Sequence, residues 1–181
     1  ANTTGSSNVA VGMNSLSVNT TAGNNTAIGR SALEVNETGE SNVAVGNYAL
    51  DANTTAHNNT AIGYDALGVN TTGHSNCAVG TDALDSNTTG THNVAVGRNA
   101  LDANTTANDN TAVGYNALST NQTGAGNTAL GRSSLQNNTA GNNVAVGYYA
   151  LGTNSSGENN TAVGYSGLTL NTTGNRNTAL G

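Results

Sequence analysis

The block Asn-Val-Ala-Val-Gly at 8–12 returns throughout the chain at a fixed spacing. Its copies start at Asn8, Asn25, Asn42, Asn59, Asn76, Asn93, Asn110, Asn127, Asn143, Asn160 and Asn177. The step is 17 residues, except for one of 16 between Asn127 and Asn143, where the missing residue falls in Gln136-Asn137-Asn138-Thr139. A unit reads N-[VT]-A-[VIL]-G-x-x-A-L-x-x-N-x-T-G-x-x, and its positions are counted 1 to 17 below. Residues 1–181 read as a single repeat array, with no capping domain expected within them. Repeats of this kind bury their apolar faces against their neighbours.

Repetition within one chain shows which positions are constrained. Position 1 is always Asn, position 3 always Ala and position 5 always Gly; every complete unit has Leu at position 9 and Asn at position 12. Positions 6, 7, 10, 11, 13, 16 and 17 vary and hold every charge. Fixed positions are expected to pack and variable ones to meet water.

A 17-residue period fits one coil of a parallel β-solenoid, an all-β β-roll of ten to eleven coils. Helical repeats need about 30 to 45 residues and an apolar stripe of period 3.6. Positions 1 to 5 alternate as a strand does. The residue sizes put positions 2 and 4 on the core face, with Leu at position 9 folded back onto them. The N-x-T-G segment reads as a second short strand. Coils stacked ~4.8 Å apart place identical residues over one another, giving a rod of roughly 50 Å. Buried Asn side chains can then hydrogen-bond along the stack.

Core residues on this reading are Leu16, Leu33, Leu50, Leu67, Leu84, Leu101, Leu118, Leu135, Leu151 and Leu168. The polar ladders are Asn19, Asn36, Asn53, Asn70, Asn87, Asn104 and Asn121, with Thr21, Thr38, Thr55, Thr72, Thr89, Thr106 and Thr123 beside them. Cys77 occupies a slot that holds Val elsewhere and reads as a small buried hydrophobe.

The invariant Ala falls on the strand face opposite the apolar pair. An unvarying small residue there implies another surface close by. The expected self-association face is therefore Ala10, Ala27, Ala44, Ala61, Ala78, Ala95, Ala112, Ala129, Ala145, Ala162 and Ala179. A tight turn or a recently duplicated repeat is the other explanation. The sequence starts at position 11 and stops at position 5 of a unit, so it is expected to be either a piece of a longer fibre or a subunit whose open ends serve assembly.

Composition agrees with ladders and excludes other classes. The chain has 33 Asn, 28 Thr, 26 Ala and 24 Gly, with no Pro, Phe or Trp. No globular core of large side chains can be built from this. Charged residues are 8 % and the formal charge is −6, so nucleic acid is not an expected partner, because phosphate binding needs clustered Lys and Arg. No stretch approaches the ~20 apolar residues of a membrane span.

The blocks Ser7-Asn8-Val9-Ala10-Val11-Gly12 and Ser41-Asn42-Val43-Ala44-Val45-Gly46 resemble the head repeats of YadA-like trimeric autotransporter adhesins and the related repeats of phage tail fibres. The match covers positions 1 to 8 of each unit and recurs along the chain. Those head repeats are commonly about 14 residues long; the additional residues here surround Leu-x-x-Asn. The resemblance implies a left-handed roll, three chains packed about an axis, and an extracellular adhesive or spacer role.

No catalytic constellation emerges, and neither an enzyme nor a cofactor is expected. His57, His74 and His92 fall at positions 16 or 17, either as a weak metal site between stacked loops or as solvated loop residues. Asp85 and Asp102 stack at position 10 with Asp51 two coils away, without the G-G-x-G-x-D spacing of calcium-binding rolls. The N-x-[ST] triplets, such as Asn36-Glu37-Thr38, read as glycosylation acceptors or as a by-product of two parallel ladders; an inward Asn could carry no glycan. Paired threonines such as Thr54-Thr55 and Thr88-Thr89 give ice binding as an alternative, weakened by Glu37 and Gln122 at position 13. Tyr48, Tyr64, Tyr115, Tyr148, Tyr149 and Tyr165 cluster at positions 6 and 7, as a contact row for glycans or proteins or as surface decoration. The expected function is a structural extracellular fibre that self-assembles, as a homotrimer or end to end.

Overall fold

The computed structural model describes residues 2–181. Each unit contributes one three-residue strand: β1 (Val9–Val11), β2 (Thr26–Ile28), β3 (Val43–Val45), β4 (Thr60–Ile62), β5 (Cys77–Val79), β6 (Val94–Val96), β7 (Thr111–Val113), β8 (Thr128–Leu130), β9 (Val144–Val146), β10 (Thr161–Val163) and β11 (Thr178–Leu180). They stack in chain order into one 11-stranded parallel sheet. Pairing is unit on unit, Ala44 with Ala61 and Ala78 with Ala95. The result is an all-β parallel solenoid, with no helix among the described residues. The rest of each coil is turn, so the N-x-T-G segment forms no second strand.

The strand ends at position 5 because only Gly fits there. Gly63 has φ +143, and a Cβ on it would lie 2.3 Å from the Gly80 carbonyl oxygen of the next coil. The chain then turns through two left-handed residues, at positions 7 and 9. Leu67 has φ 53 and Leu84 has φ 53. Left-handed backbone costs a non-glycine residue about 1–2 kcal/mol. Full burial of a Leu side chain returns about 1.5–3 kcal/mol, and the position-9 Leu from Leu33 to Leu151 are all fully buried. Leu16 is nearly so, and Leu168 is partly buried against the same cluster.

The strand faces are the reverse of the size-based expectation. Ala27, Ala44, Ala61, Ala78, Ala95, Ala112, Ala129, Ala145 and Ala162 point inward and are wholly buried, packed with the Leu and with the small residue at position 8. They form no self-association face. Ala10 and Ala179, in the first and last strands, are exposed and half-buried respectively. Positions 2 and 4 point outward instead: Val11 is 56 % exposed, Leu130 46 % and Ile62 40 %. Cys77 lies on this outer face, half-buried, and is not a core residue. The reason is volume. One Leu, two small residues and two Asn fill the section of the coil, and branched side chains at positions 2 and 4 have no room inside.

Two Asn columns hold the coil shut. At position 1, Asn25 donates through Nδ2 to the Gly39 carbonyl of its own coil (2.8 Å), and its Oδ1 accepts the Asn42 backbone N–H of the next (2.9 Å). At position 12, Asn36 donates to the same Gly39 carbonyl (2.9 Å) and to Asn19 Oδ1 (3.3 Å). Asn53 continues the column to Asn36 Oδ1 (2.8 Å). These Asn are buried and hydrogen-bonded, as buried polar groups must be. The Thr expected beside them are not in the ladder. Thr21, Thr38, Thr55, Thr72, Thr89, Thr106 and Thr123 are all exposed, because the segment is a turn and period-2 alternation does not apply. The Thr at position 13 bonds along the rod instead, with Thr71 Oγ1 donating to the Thr88 carbonyl (3.1 Å) and Thr88 to Thr105 (3.1 Å).

The 16-residue coil interrupts one column and spares the other. Asn143 N–H still reaches Asn127 Oδ1 (2.9 Å) at position 1. At position 12, Asn121 turns to Gly124, donating to its carbonyl (2.8 Å) and accepting its N–H (3.1 Å). Asn104 Oδ1 is left buried without a partner. The column resumes where Asn154 donates to Asn138 Oδ1 (2.7 Å). The residue lost is the outward Thr of position 14, between Thr139 and Ala140.

Three outcomes follow for stability. Asn59→Ala removes the bond to Gly73 O and strands the buried Asn76 N–H, so urea denaturation is expected to show a loss of about 2–4 kcal/mol. Asn137→Ala, at an exposed position without left-handed backbone, should change stability by less than about 0.5 kcal/mol. Inserting Thr between Thr139 and Ala140 should rebuild the position-12 column and raise stability by about 1 kcal/mol; an unchanged or lower urea midpoint contradicts this.

Candidate interaction faces

No pocket opens among the described residues. The first side is the outer face of the sheet. Position 4 places Val11, Ile28, Val45, Ile62, Val79, Val96, Val113, Leu130, Val146, Val163 and Leu180 in one column. Position 2 gives a second column, in which Val alternates irregularly with Thr and Cys77. Parallel sheets are ordinarily covered on both faces. Here the inner face is covered by the coil, and the outer face carries two in-register columns with nothing over them.

Position 6 borders this face and carries an exposed aromatic and cationic column. The Arg132 guanidinium lies 5.4 Å from the Tyr115 ring centroid and 5.8 Å from that of Tyr148. Tyr148 in turn stacks on Tyr165 at 5.1 Å with an interplanar angle of 11°. Further along the rod, Arg30 lies 5.3 Å from Tyr48, which meets Tyr64 edge-on at 6.0 Å. The clustered Tyr are thus brought together by coil stacking, meeting one another stacked or edge-on and meeting Arg through the ring face.

Beyond that corner, positions 7 and 10 bring acidic residues into one strip. Asp51 and Asp85 each have a pKa raised to about 6, first by burial and then by neighbouring carboxylates: Asp65 beside Asp51, and Asp65, Asp82 and Asp102 beside Asp85. Burial also raises Asp65 and Asp102, with Asp82 adding to both. The Asp102 Oδ1 has no hydrogen-bond partner.

The opposite border of the sheet, at positions 16 and 17, holds the histidines. His57 Nδ1 accepts the Glu40 N–H (2.9 Å). The His74 and His92 rings meet edge-on at 5.3 Å, and His92 Nδ1 lies 4.0 Å from Asp109 Oδ1. No group of three or more metal-ligating side chains forms among the described residues. In the N-x-[ST] triplets the Asn of position 12 is buried from Asn19 to Asn121, so a glycan on it is incompatible with the coil.

The sequence pointed to the Tyr and Asp columns but missed the outer sheet face. The available signal was variation. Positions 2 and 4 change identity from unit to unit, whereas the Ala between them does not.

The acidic strip fixes a pH dependence. A carboxyl whose folded pKa lies above its unfolded value binds more protons when folded. The contribution of Asp51 and Asp85 is therefore greatest below about pH 4 and is lost as pH rises through about 6. Thermal melts should show the melting temperature falling over that window. Asp51→Asn with Asp85→Asn should raise it at pH 8 by the equivalent of ~0.5–1 kcal/mol per site, small because both groups are half in solvent. A double variant that melts with the same pH slope contradicts the assignment.

No protein-family model, curated protein or solved structure matches this chain.

Proposed function

We propose that this chain is the shaft of an extracellular fibre, and that it assembles laterally with copies of itself through the outer face of its sheet. The observation that carries this reading is the pair of exposed columns at positions 2 and 4. Val9 and Val11 are about half exposed, and large apolar side chains recur outward down the rod. Contiguous apolar surface of this extent marks an interaction site, and a parallel sheet with one bare face calls for a cover. A second copy is the simplest cover, because it has the same length, the same spacing per coil and the same lack of charge at these positions.

The resemblance to YadA-like heads favours three copies about a common axis. In such an assembly the rod supplies length and stiffness, and the Tyr and Arg columns remain on the borders for glycans or proteins. Elongation comes from coil stacking and association from the sheet face, so the two properties belong to different residues.

Ice binding is the second reading, and the sheet face favours it over the loop threonines. Thr26, Thr60, Thr111, Thr128, Thr161 and Thr178 stand beside the apolar column at position 2, whereas the hydroxyls of position 13 are engaged with backbone carbonyls.

Light scattering after size exclusion tests the first reading. Three chains per particle are expected. Val45→Lys with Val96→Lys should reduce the particle to a monomer while leaving the circular dichroism unchanged, since both side chains lie outside the coil. A wild-type monomer at all concentrations contradicts lateral assembly. Thermal hysteresis by such a monomer would select ice binding.

A further inference from the structure

We infer that the Tyr and Arg column of position 6, from Arg98 to Tyr165, binds a linear polysaccharide that carries carboxylates, a polyuronate, laid along the side of the rod. This rests on the fibre reading above, in which the borders of the sheet face stay open, and it names the ligand of one border.

The column runs Arg98, Tyr115, Arg132, Tyr148 and Tyr165 over five successive coils, roughly 20 Å at the spacing of stacked strands. All five side chains are exposed. The Arg132 guanidinium lies between the Tyr115 and Tyr148 rings, at 5.4 and 5.8 Å from their centroids, and Tyr165 continues the stack on Tyr148 at 5.1 Å. Contact with ring faces orders a guanidinium without using its N–H donors. Among the described residues no hydrogen bond or ion pair engages the guanidinium of Arg98 or Arg132, or the hydroxyl of Tyr115, Tyr148 or Tyr165.

This half of the rod is also the less acidic one. Seven of the ten Asp and Glu precede Arg98, with one Arg among them, whereas from Arg98 onward three Arg stand with three acids. Position 7, beside the column, is Asn99, Asn116, Ser133, Tyr149 and Ser166. The acidic strip ends at Asp102, one coil before Tyr115. An anionic chain therefore meets least repulsion here.

What the column leaves free selects the ligand. The ring faces inside the stack are taken by Arg132 or by one another, so a nucleobase has no place between them. Phenol hydroxyls and guanidinium forks remain. The first suit sugar hydroxyls, and the second hold a planar carboxylate through two parallel bonds. Arg98 and Arg132 are two coils apart, about 10 Å. An extended polyuronate advances by nearly one coil spacing per sugar, so alternate sugars place their carboxylates at the two Arg while the sugar between meets Tyr115. A side without a pocket suits a polymer bound lengthwise, with affinity gathered over repeated contacts.

Calorimetric titration of the full chain with alginate oligosaccharides tests this, with neutral dextran and single-stranded DNA alongside. Saturable alginate binding is expected, weakened by salt, with none for dextran. Arg132→Gln should weaken it by ~10-fold and Tyr148→Phe by ~3-fold, through loss of a charge-assisted and a neutral hydrogen bond respectively. Arg30→Gln removes the same charge in the other half of the rod, where Arg30 lies over Tyr48, and should leave binding unchanged. Equal losses in the Arg30 and Arg132 variants, tighter binding of DNA than of alginate, or no alginate binding each overturn the inference. Circular dichroism should match wild type throughout, because these side chains lie outside the coil. Light scattering on the same samples separates the two readings. A trimer that ignores alginate overturns this inference alone, and a monomer that binds it overturns lateral assembly alone.

Discussion

In each coil the backbone carbonyl at position 15 accepts two buried side-chain amides, and the rest of the structure depends on this convergence. Gly39 receives Asn25 and Asn36; Gly90 receives Asn76 (2.8 Å) and Asn87 (3.1 Å). The donor at position 1 ties the start of the coil to its end. The donor at position 12 anchors the turn between. Each of these Asn except Asn121 also bonds to the coil above or below. The same side chain therefore closes a loop and stacks it, which is how a chain without Phe or Trp obtains a defined interior.

The amide columns also decide where everything else goes. With two Asn inside, the remaining section accepts Ala, Leu and another small residue. Leu at position 9 reaches it only through left-handed backbone, and the strain is met by complete burial. Branched apolar residues are displaced to the outer face of the strand. The proposed interface is thus a consequence of the core: filling the coil with amides and small residues puts the larger hydrophobes outside.

Much of this was legible in the sequence. The period gave the coil, the absence of a 3.6-residue stripe gave β structure, and the invariant Asn and Leu named the ladder and the core. The direction of the strand was not legible from side-chain size. Val43 and Val45 are larger than Ala44, yet it is Ala44 that is buried. Invariance was the better guide, since only an enclosed position forbids change. The Thr column was misplaced for a related reason. Asn36 and Thr38 share a face only if the segment is a strand, and it is a turn. The acidic strip needs positions 7 and 10 to meet across neighbouring coils, which depends on a turn geometry that no spacing rule encodes.

Hydrogen exchange of the Asn side-chain amides by NMR tests the central claim most directly. Exchange of the Nδ2 protons at positions 1 and 12, such as Asn59 and Asn70, should be slowed by orders of magnitude relative to exposed Asn24, Asn58 and Asn159. Exchange of all these amides at one fast rate would contradict an interior held by asparagine.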